Sequence, residues 1–338
     1  MEATILSAFS NLLLTIHRKA QELPLQEFQD SILNDIKSLL PFDSSVWGTA
    51  TMTDAGIDIH SLHLHNTTQA MIDAYEKVKH LDVVAMRVAG QPVATLAFNS
   101  ATDFEDAHVA YRDFLHKFRH ENIFITSELN PITRFVHWVS LYRFDPAHTC
   151  KREETEVLAC IAPHLMRALA TNRLAHLDRL VGDTAREKWS VAIADGRGVL
   201  YHADRRFRDL IHSEWRSQDM EHLPQALLDR LMAEDGQVSG AHVLVRRSIE
   251  RGLLFLMARP REEVDDLSPR EFLVANLLAR GLTQKQVAAR LGRSPETIRS
   301  QVKTLFNKLD INNVATLAGK LVPRNQQGLA TTNRLSSG

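Results

Sequence analysis

The chain has 338 residues, of which 44% are hydrophobic and 24% are charged, close to the averages for globular proteins. This length predicts two or three domains, and the composition excludes a chain that is disordered throughout. No apolar stretch is long enough to span a membrane, and the first residues lack the basic start of a secretory signal. The two cysteines, Cys150 and Cys160, cannot form a disulfide framework. We therefore expect a cytoplasmic protein without membrane contact.

The net charge of -1 is unevenly distributed. Residues 265–324 contain ten basic and five acidic residues, a net charge of +5, whereas residues 1–264 carry -7. A small basic region attached to a larger acidic body predicts one module that binds a polyanion and another module with a different task.

Residues 1–180 alternate between helical and extended patterns. The apolar periodicity predicts helices at 3–22, 25–40, 68–79 and 151–180. Strand patterns occupy 45–51, 57–65, 93–98, 123–127 and 135–144. Helices around an antiparallel sheet give an α+β layout. This order resembles a GAF-type sensor domain, and the run Ile161–Leu169 resembles the exit helix of regulators with such domains. The resemblance implies a sheet that cups a small molecule.

Aromatic side chains in this region are candidates for a ligand site. Trp47 and Trp138 lie on predicted strands, and Tyr75 lies on the helix after the second strand. Each fits a pocket wall with a polar tip, and each also fits ordinary core packing. Tyr75 and Asp82 are similar to a pair in acyl-homoserine-lactone receptors, which usually have proline where this chain has Val83. We include Asp82 among the candidate ligand residues for this reason.

Histidines cluster on the second predicted strand. His63 and His65 share one face of it, an arrangement that suits a metal pair, and His63 is also a candidate ligand residue. No cysteine or paired carboxylate is placed along the chain to complete such a site. We therefore predict neither a metal nor another cofactor.

Residues 185–260 predict a second, smaller α+β unit. Strands are expected at 189–196 and 199–201, helices from 207 and at 221–233, and a hairpin formed by 241–245 and 253–258. The pattern resembles a short PAS-type domain, which implies either a ligand site or a spacer that dimerises. Residues 259–266 then form a charged linker.

Residues 265–323 carry three helix-start signals. Ser268–Glu271 and Thr283–Gln286 are capping boxes, and Ser294 caps a third helix that opens with proline. Gly292 suits the tight turn before this third helix. A fourth helix is expected from residue 312 or 313. A short helix, a tight turn and a longer third helix form a helix-turn-helix.

The third of these helices has two distinct faces. Its apolar stripe predicts the buried side: Ile298, Val302, Leu305 and Leu309. The opposite side holds short polar or cationic side chains: Arg299, Ser300, Lys303, Thr304 and Asn307, together with Glu296. A face of this size and chemistry fits the DNA major groove, where arginine and lysine reach guanine edges.

The segment resembles the LuxR/FixJ-type DNA-binding domain over about sixty residues. The resemblance rests on Leu267–Glu271, Leu278–Thr283, Val287–Gly292, Ser294–Arg299 and Asn307–Leu309. It implies base contacts at Arg299, Ser300 and Lys303, although the family often has histidine where this chain has Gln301. We expect DNA contacts from Lys285, Ser294, Thr297, Arg299, Ser300, Gln301, Lys303 and Asn307. The family's fourth helix commonly dimerises the domain, which would place Val314, Leu317 and Leu321 partly at an interface.

We consider four functional hypotheses for this chain: a one-component regulator, a response regulator, an enzyme with a DNA-binding tail, and a regulator controlled by a protein partner. A response regulator needs a receiver domain, but this chain opens with two amphipathic helices. An enzyme is not expected, because no P-loop, G-x-S-x-G, H-E-x-x-H or Gly-rich dinucleotide turn is present. We therefore expect a homodimeric, one-component transcriptional regulator that binds double-stranded DNA and a small, apolar effector, and RNA polymerase if it activates. The alternative is control by a protein partner.

The expected organisation has four parts. A GAF-like domain occupies 1–180, a PAS-like domain 185–260, the helix-turn-helix domain 265–323 and a flexible tail 324–338. An apolar cavity within 40–145 would favour a small ligand, whereas a filled core with an exposed apolar patch would favour a protein partner.

Overall fold

A computed structural model describes residues 2–53, 56–89, 91, 93–104, 109–130, 134–182, 188–217, 219, 221–234 and 236–321. The tail expected at 324–338 lies outside the described residues. Within them, no helix is long and apolar enough to cross a membrane.

The described residues form helices at both ends and two strand-rich regions between them. The helices are α1 (Glu2–Glu22), α2 (Leu25–Ile36), α3 (Gln69–Val78), α4 (Val83–Ala89), α5 (Val109–Lys117), α6 (Arg152–Val181), α7 (Arg205–Glu214), α8 (Gln225–Ala233), α9 (Pro269–Ala279), α10 (Gln284–Leu291), α11 (Pro295–Lys308) and α12 (Val314–Leu321). The strands are β1 (Ser44–Thr53), β2 (Gly56–His65), β3 (Val93–Asn99), β4 (Asn122–Leu129), β5 (Phe135–Arg143), β6 (Ser190–Asp195), β7 (Leu200–Ala203), β8 (Gln237–Ser239), β9 (Val243–Glu250) and β10 (Leu253–Pro260). The predicted class is confirmed: helices and antiparallel sheets precede a helical C-terminal region.

The first sheet has the order β2-β1-β5-β4-β3, with every neighbouring pair antiparallel. Successive side chains of a strand point to opposite faces, so Trp47 faces a core with α1, α2 and α6, while Val46 faces a second core with α3, α4 and α5. We call this sheet, α1 to α5 and the first half of α6 the N-terminal unit. Both faces of its sheet are therefore covered.

The second sheet has the order β7-β6-β10-β9-β8, which is the order of the first sheet when its own strands are counted from one. Helices α7 and α8 pack on one face of it. On the other face, Leu177 and Val181 at the end of α6 pack with Trp189 and Phe255. We call this sheet with α7 and α8 the middle unit. The single helix α6 thus contributes to the cores of both units.

Several elements depart from the sequence predictions. Helices α4 and α5 and strand β8 were not predicted, and α8 begins at Gln225 rather than at 221. Helix α4 has seven residues and β8 has three, too few for a periodic pattern to stand out. Their formation depends on packing and pairing: α4 contacts β3 and β4, and β8 pairs with β9.

Polar contacts join the N-terminal and middle units. Thr49 Oγ1 lies 2.6 Å from Tyr201 Oη, and His60 Nδ1 lies 3.1 Å from Asp195 Oδ2. Arg251, at the turn between β9 and β10, donates to the backbone oxygens of Leu25 and Gln26 at 3.2 and 3.0 Å. These contacts hold the two sheets against one another across α2, β1 and β2.

The predicted charged linker is structured. Glu263–Asp266 forms a short 3-10 helix, and Val264 is buried in the C-terminal core. Arg259 stacks on Trp189 at 5.0 Å and makes a bidentate ion pair with Asp265, with distances of 2.6 and 2.7 Å. Ion pairs between neighbours in the run therefore order a segment whose charge alone predicted a solvated linker.

Helices α9 to α12 form the C-terminal domain around one apolar core. The predicted caps are confirmed, since Ser268, Thr283 and Ser294 each accept a hydrogen bond from the amide three residues on. Gly292 has a φ of 61° at the turn before α11. Leu317 and Leu321 are buried in this core and complete the domain itself, so these two side chains are not exposed to a partner. A dimer contact through α12 stays a prediction. Val314 is 40% exposed.

Candidate ligand cavity and nucleic-acid interface

The N-terminal unit contains a cavity of about 90 Å³ between its sheet and helices α3, α4 and α5. The walls are mainly apolar: Val46, Leu62, Met71, Ile72, Val84, Val88, Phe114, Leu115, Ile123, Ile125 and Trp138. Polar groups enter from a few positions: Tyr75, Asp82, Tyr111, His120, Ser127, Ser140 and Tyr142. An apolar chamber with a small set of converging polar groups is the usual form of a small-molecule site.

Asp82 is the centre of the polar groups. Tyr75 Oη donates to its Oδ2 at 2.8 Å, and Tyr111 Oη donates to its Oδ1 at 2.8 Å. The Ala85 amide donates to Oδ1 at 2.9 Å, so Asp82 also caps α4. Burial raises the pKa of Asp82, and the hydrogen bonds from Ala85, Tyr111 and Tyr75 oppose this rise only in part. The carboxylate therefore favours any further hydrogen-bond donor that reaches it.

A second polar group lies on the sheet side of the cavity. His120 stacks on Tyr142 with ring centroids 3.6 Å apart, and its Nδ1 is buried without a hydrogen-bond partner. Burial lowers the pKa of His120 to about 3, so the ring is neutral at pH 7. The hydroxyl of Ser127 is also buried without a partner. These groups leave hydrogen-bonding capacity at the wall opposite Asp82.

The structure brings three of the five candidate ligand residues together. Tyr75, Asp82 and Trp138 line the cavity, with Tyr75 and Asp82 in direct contact. Trp47 does not line it, because on β1 its side chain points to the opposite face of the sheet. His63 also lies elsewhere, in a cluster with α2. The assignment of Trp47 and His63 to one pocket with the others is therefore not supported by their positions.

A glycine gives Trp138 its place in the wall. Gly48 pairs with Trp138 across β1 and β5. A Cβ atom at Gly48 would lie 2.6 Å from Trp138 Cη2 and 2.7 Å from the backbone oxygen of Ser61. The absence of a side chain at Gly48 thus allows the indole to lie across the strand.

Asp30 joins the two predicted histidines into a cluster of metal-ligand type. Its Oδ1 lies 3.0 Å from His63 Nε2 and 2.7 Å from His65 Nδ1. The expectation that no carboxylate completes this histidine pair is wrong, because α2 supplies Asp30 from 33 positions away. Arg251 donates to His63 Nδ1 at 3.0 Å, which places the His63 proton on Nε2 and directs it to Asp30. In this tautomer His63 Nε2 is a donor, so the arrangement suits a hydrogen-bonded cluster better than a cation.

The predicted DNA-contacting residues lie on α10, at the cap of α11 and along α11. Gln301 is half-buried, and the others are exposed: Lys285, Ser294, Thr297, Arg299, Ser300, Lys303 and Asn307. The apolar stripe of Ile298, Val302 and Leu305 is buried beneath them. The two faces of α11 therefore lie as the periodicity predicted.

Contacts within α11 already involve some of these side chains. Ser294 and Thr297 hydroxyls lie 2.7 Å apart and complete the helix cap. Arg299 forms an exposed ion pair with Glu296, with a distance of 3.0 Å. Lys303 has no ion-pair partner within the described part of the chain. Lys303 on α11, like the exposed Lys285 on α10, is thus a cation that is available to an external phosphate or base.

Sequence reasoning missed Tyr111, His120 and Tyr142 as cavity residues. Tyr111 lies on α5, a helix that was not predicted, and His120 follows its end. Their common signal is a polar ring within an apolar run, but that signal gives no distance to Asp82. The contact spans 29 residues and exists only in the folded chain.

Comparisons with solved structures find similar proteins at low identity. The N-acylhomoserine lactone dependent LuxR family transcription factor from Burkholderia cenocepacia is 18% identical, with a TM-score of 0.39, and the match covers 52% of this chain and 99% of that chain. SdiA of Escherichia coli is 12% identical, with a TM-score of 0.38, and the match covers 93% of this chain and 97% of that chain.

Comparisons of sequence find relatives that match only part of the chain. The nitrate/nitrite response regulator protein homolog of Haemophilus influenzae is 31% identical over 86 residues, which are 25% of this chain and 40% of that protein. The transcriptional regulatory protein UhpA of Escherichia coli is 40% identical over 57 residues, 17% of this chain and 29% of that protein. The chain thus spans less than half the length of these relatives. The family model for bacterial regulatory proteins of the luxR family matches residues 265–320. The C-terminal domain therefore belongs to the luxR family of bacterial regulatory proteins.

Proposed function

We propose that the protein is a one-component transcriptional regulator that binds double-stranded DNA through α11 and a small ligand in the N-terminal unit. The observation that carries the ligand part is the cavity of about 90 Å³ around Asp82 in the same chain as a luxR family domain. Apolar walls with a few polar tips fit a compact, largely apolar molecule.

The size and polarity of the cavity restrict the ligand. A volume of about 90 Å³ is well below the roughly 300–1,000 Å³ of most ligand pockets, so a ligand of ordinary size must open the space between the sheet and α3 to α5. Asp82 already accepts from two tyrosines and one amide. A ligand hydroxyl or amide N–H is the group that best suits this carboxylate.

The DNA part of the proposal rests on the exposed polar face of α11 above a buried apolar stripe. Arg299, Ser300 and Lys303 are exposed, and we infer that they reach base edges while the exposed Lys285 reaches phosphate. A single recognition helix covers only a short half-site, so specific binding calls for a homodimer on a two-fold symmetric site. Such a regulator acts in the cytoplasm, and it contacts RNA polymerase if it activates transcription.

The proposed coupling runs through elements that both regions share. Helix α6 contributes to the cores of the N-terminal and middle units, and the buried Arg259–Asp265 pair ties β10 to the start of the C-terminal domain. A ligand shifts DNA affinity only by binding the competent and incompetent arrangements unequally. A coupling of about 1–3 kcal/mol would change affinity roughly 5–150-fold.

Native mass spectrometry of protein purified from its host tests the proposal. A retained compound should be lost from the Asp82→Ala variant, and the same compound should change operator affinity of the wild-type protein. Retention that does not depend on Asp82 contradicts the cavity assignment. An Arg299→Ala, Lys303→Ala double variant with wild-type DNA affinity contradicts the assigned DNA face.

A protein partner is the second candidate for control of this regulator. Helix α1 exposes two leucines, Leu6 and Leu14, which are 70% and 68% exposed and eight residues apart on one helical face. These two exposed leucines are the observation that favours a partner contact on α1, although they do not form a contiguous patch. If Leu14→Glu abolishes the regulation of DNA binding while ligand retention is unchanged, control by a protein partner replaces control by a small ligand as the hypothesis.

A further inference from the structure

Arg173 lies on α6 between the two sheets, and only 7% of its surface is exposed. Its guanidinium stacks on the Tyr201 ring at 4.8 Å, and Nη2 donates a long hydrogen bond of 3.5 Å to Ser61 Oγ. Nε is buried without an acceptor. Within the described residues, no carboxylate forms an ion pair with Arg173, and the nearby Asp195 is engaged by His60.

The other arginines that are buried to this degree have a carboxylate partner. Among the described residues these are Arg143, 2.6 Å from Glu154, and Arg259, 2.6 Å from Asp265. A guanidinium keeps its proton in proteins, and burial of an unpaired ion costs several kcal/mol. Asp195 favours the charged form of Arg173 through space, but no described carboxylate lies in ion-pair contact with the guanidinium. Arg173 is therefore a buried positive charge without a direct anionic partner among the described residues.

Arg173 lines a cleft of about 630 Å³ between the two units. Helix α6, the adjoining ends of β4 and β5, and the β6–β7 pair form its walls. The walls are largely apolar or aromatic, with Leu129, Phe135, Met166, Ile193 and Tyr201. This cleft is separate from the cavity at Asp82, which lies on the other side of the first sheet.

Other polar groups of the cleft add little negative charge. Burial, and then the charge of Arg173, lower the pKa of His137 to about 3, so its ring is neutral. Arg167 and Glu128 are exposed side chains at the rim, one of each sign. The deep part of the cleft thus has one net positive charge, located on Arg173.

We propose that this cleft binds a small organic monocarboxylate with an apolar body, whose carboxylate pairs with Arg173. One buried cation balances one negative charge, whereas a phosphate dianion would keep a net charge inside. A planar carboxylate matches the guanidinium fork, and the apolar walls contact the rest of the molecule. The volume lies within the range of small-molecule sites. Because residues of both units line the cleft, such a ligand stabilises their present arrangement.

Thermal unfolding of the full chain tests the proposal with defined probes. Benzoate and hexanoate at millimolar concentration are the carboxylates, benzamide and hexanamide are their neutral counterparts, and inorganic phosphate is the dianion. We expect at least one carboxylate to raise the melting temperature by about 2–4 °C, and the amides and phosphate to have no effect. No shift with either carboxylate overturns the proposal, and an equal shift with phosphate overturns the ligand class.

Two variants of Arg173 separate a binding role from a structural one. Arg173→Met should abolish the carboxylate shift without lowering the melting temperature of the ligand-free protein, because it removes an unpaired buried charge. Arg173→Lys keeps the cation but loses the fork, and it should weaken binding about 10-fold. Arg152→Gln, at an exposed position of the same helix, is the matched control and should keep the full shift. Asp82→Asn should also keep it, so failure of the cavity assignment is distinguishable from failure of this one. A shift that survives in Arg173→Met contradicts the proposal.

Discussion

Replacing Asp82 with alanine is expected to destabilise the N-terminal unit by about 2–4 kcal/mol. The change removes the cap of α4, worth about 1 kcal/mol, and leaves the hydroxyls of Tyr75 and Tyr111 without their acceptor, at about 1–3 kcal/mol each. Relief of the buried charge offsets part of this loss, because burial raises the pKa of Asp82. Asp82→Asn keeps an acceptor and adds a donor, so it should cost less than about 1 kcal/mol.

A double-mutant cycle that combines Asp82→Ala with Tyr111→Phe tests the hydrogen bond between the two side chains directly. In the wild-type background, Tyr111→Phe removes a hydrogen bond to Asp82 and should cost about 1 kcal/mol. In the Asp82→Ala background, the same change removes a hydroxyl that has lost its acceptor, so it should be neutral or stabilising. The resulting coupling should be about 1–3 kcal/mol. Tyr142→Phe, whose hydroxyl bonds to Ser140, is the matched control and should show a clearly smaller coupling.

Urea unfolding of the full chain measures the change in the free energy of unfolding for each variant. Hydrogen exchange of the β4 amides shows whether that change arises in the first sheet. Exchange of β4 reports opening of the first sheet rather than of the other units. An equal cost of Tyr111→Phe in both backgrounds would refute the reasoning, since it would show that the hydroxyl does not depend on Asp82.

Three further predictions follow from other parts of the molecule. Arg299→Ala or Lys303→Ala should cost about 1–3 kcal/mol on a specific duplex if the side chain reads a base, and competition with random duplex separates base reading from phosphate contact. Gly48→Ala should lower the melting temperature and move Trp138, because the new Cβ meets both the indole and the backbone oxygen of Ser61; an unchanged indole fluorescence spectrum would contradict this. The free energy of unfolding should fall by about 2 kcal/mol between pH 7 and pH 5 on account of His120. In this range the His120 ring binds a proton in the unfolded chain but stays neutral in the folded chain, where its pKa is about 3. His120→Gln should remove this part of the pH dependence in urea titrations, whereas the exposed His80→Gln should not.

Features that depend on neighbouring residues were predictable from the sequence. The caps of α9, α10 and α11 involve residues three positions apart, and the two faces of α11 follow from its periodicity. The five strands of the first sheet were similarly marked by their extended patterns. These signals are local, so the order of residues carries them almost completely.

Features that depend on distant residues needed the tertiary structure. The sequence analysis paired Tyr75 with Asp82. It gave no sign that Tyr111 contacts Asp82 or that Trp47 lies on the opposite face of the sheet. The carboxylate of Asp30 reaches His63 only because α2 packs beside β2. Which face of a strand becomes the cavity wall is set by the helices that cover it, and the sequence does not specify that choice strand by strand.

The charge of Arg173 shows the same division. In the sequence, Arg173 is one of 40 lysine and arginine residues, and nothing in the pattern around it distinguishes it from those at the surface. Only the packing of α6 between two sheets removes it from water and leaves it without an ion pair to any described carboxylate. The free-energy cost of a charge depends on the solvent and the partners around it, and the folded chain rather than the residue type determines both.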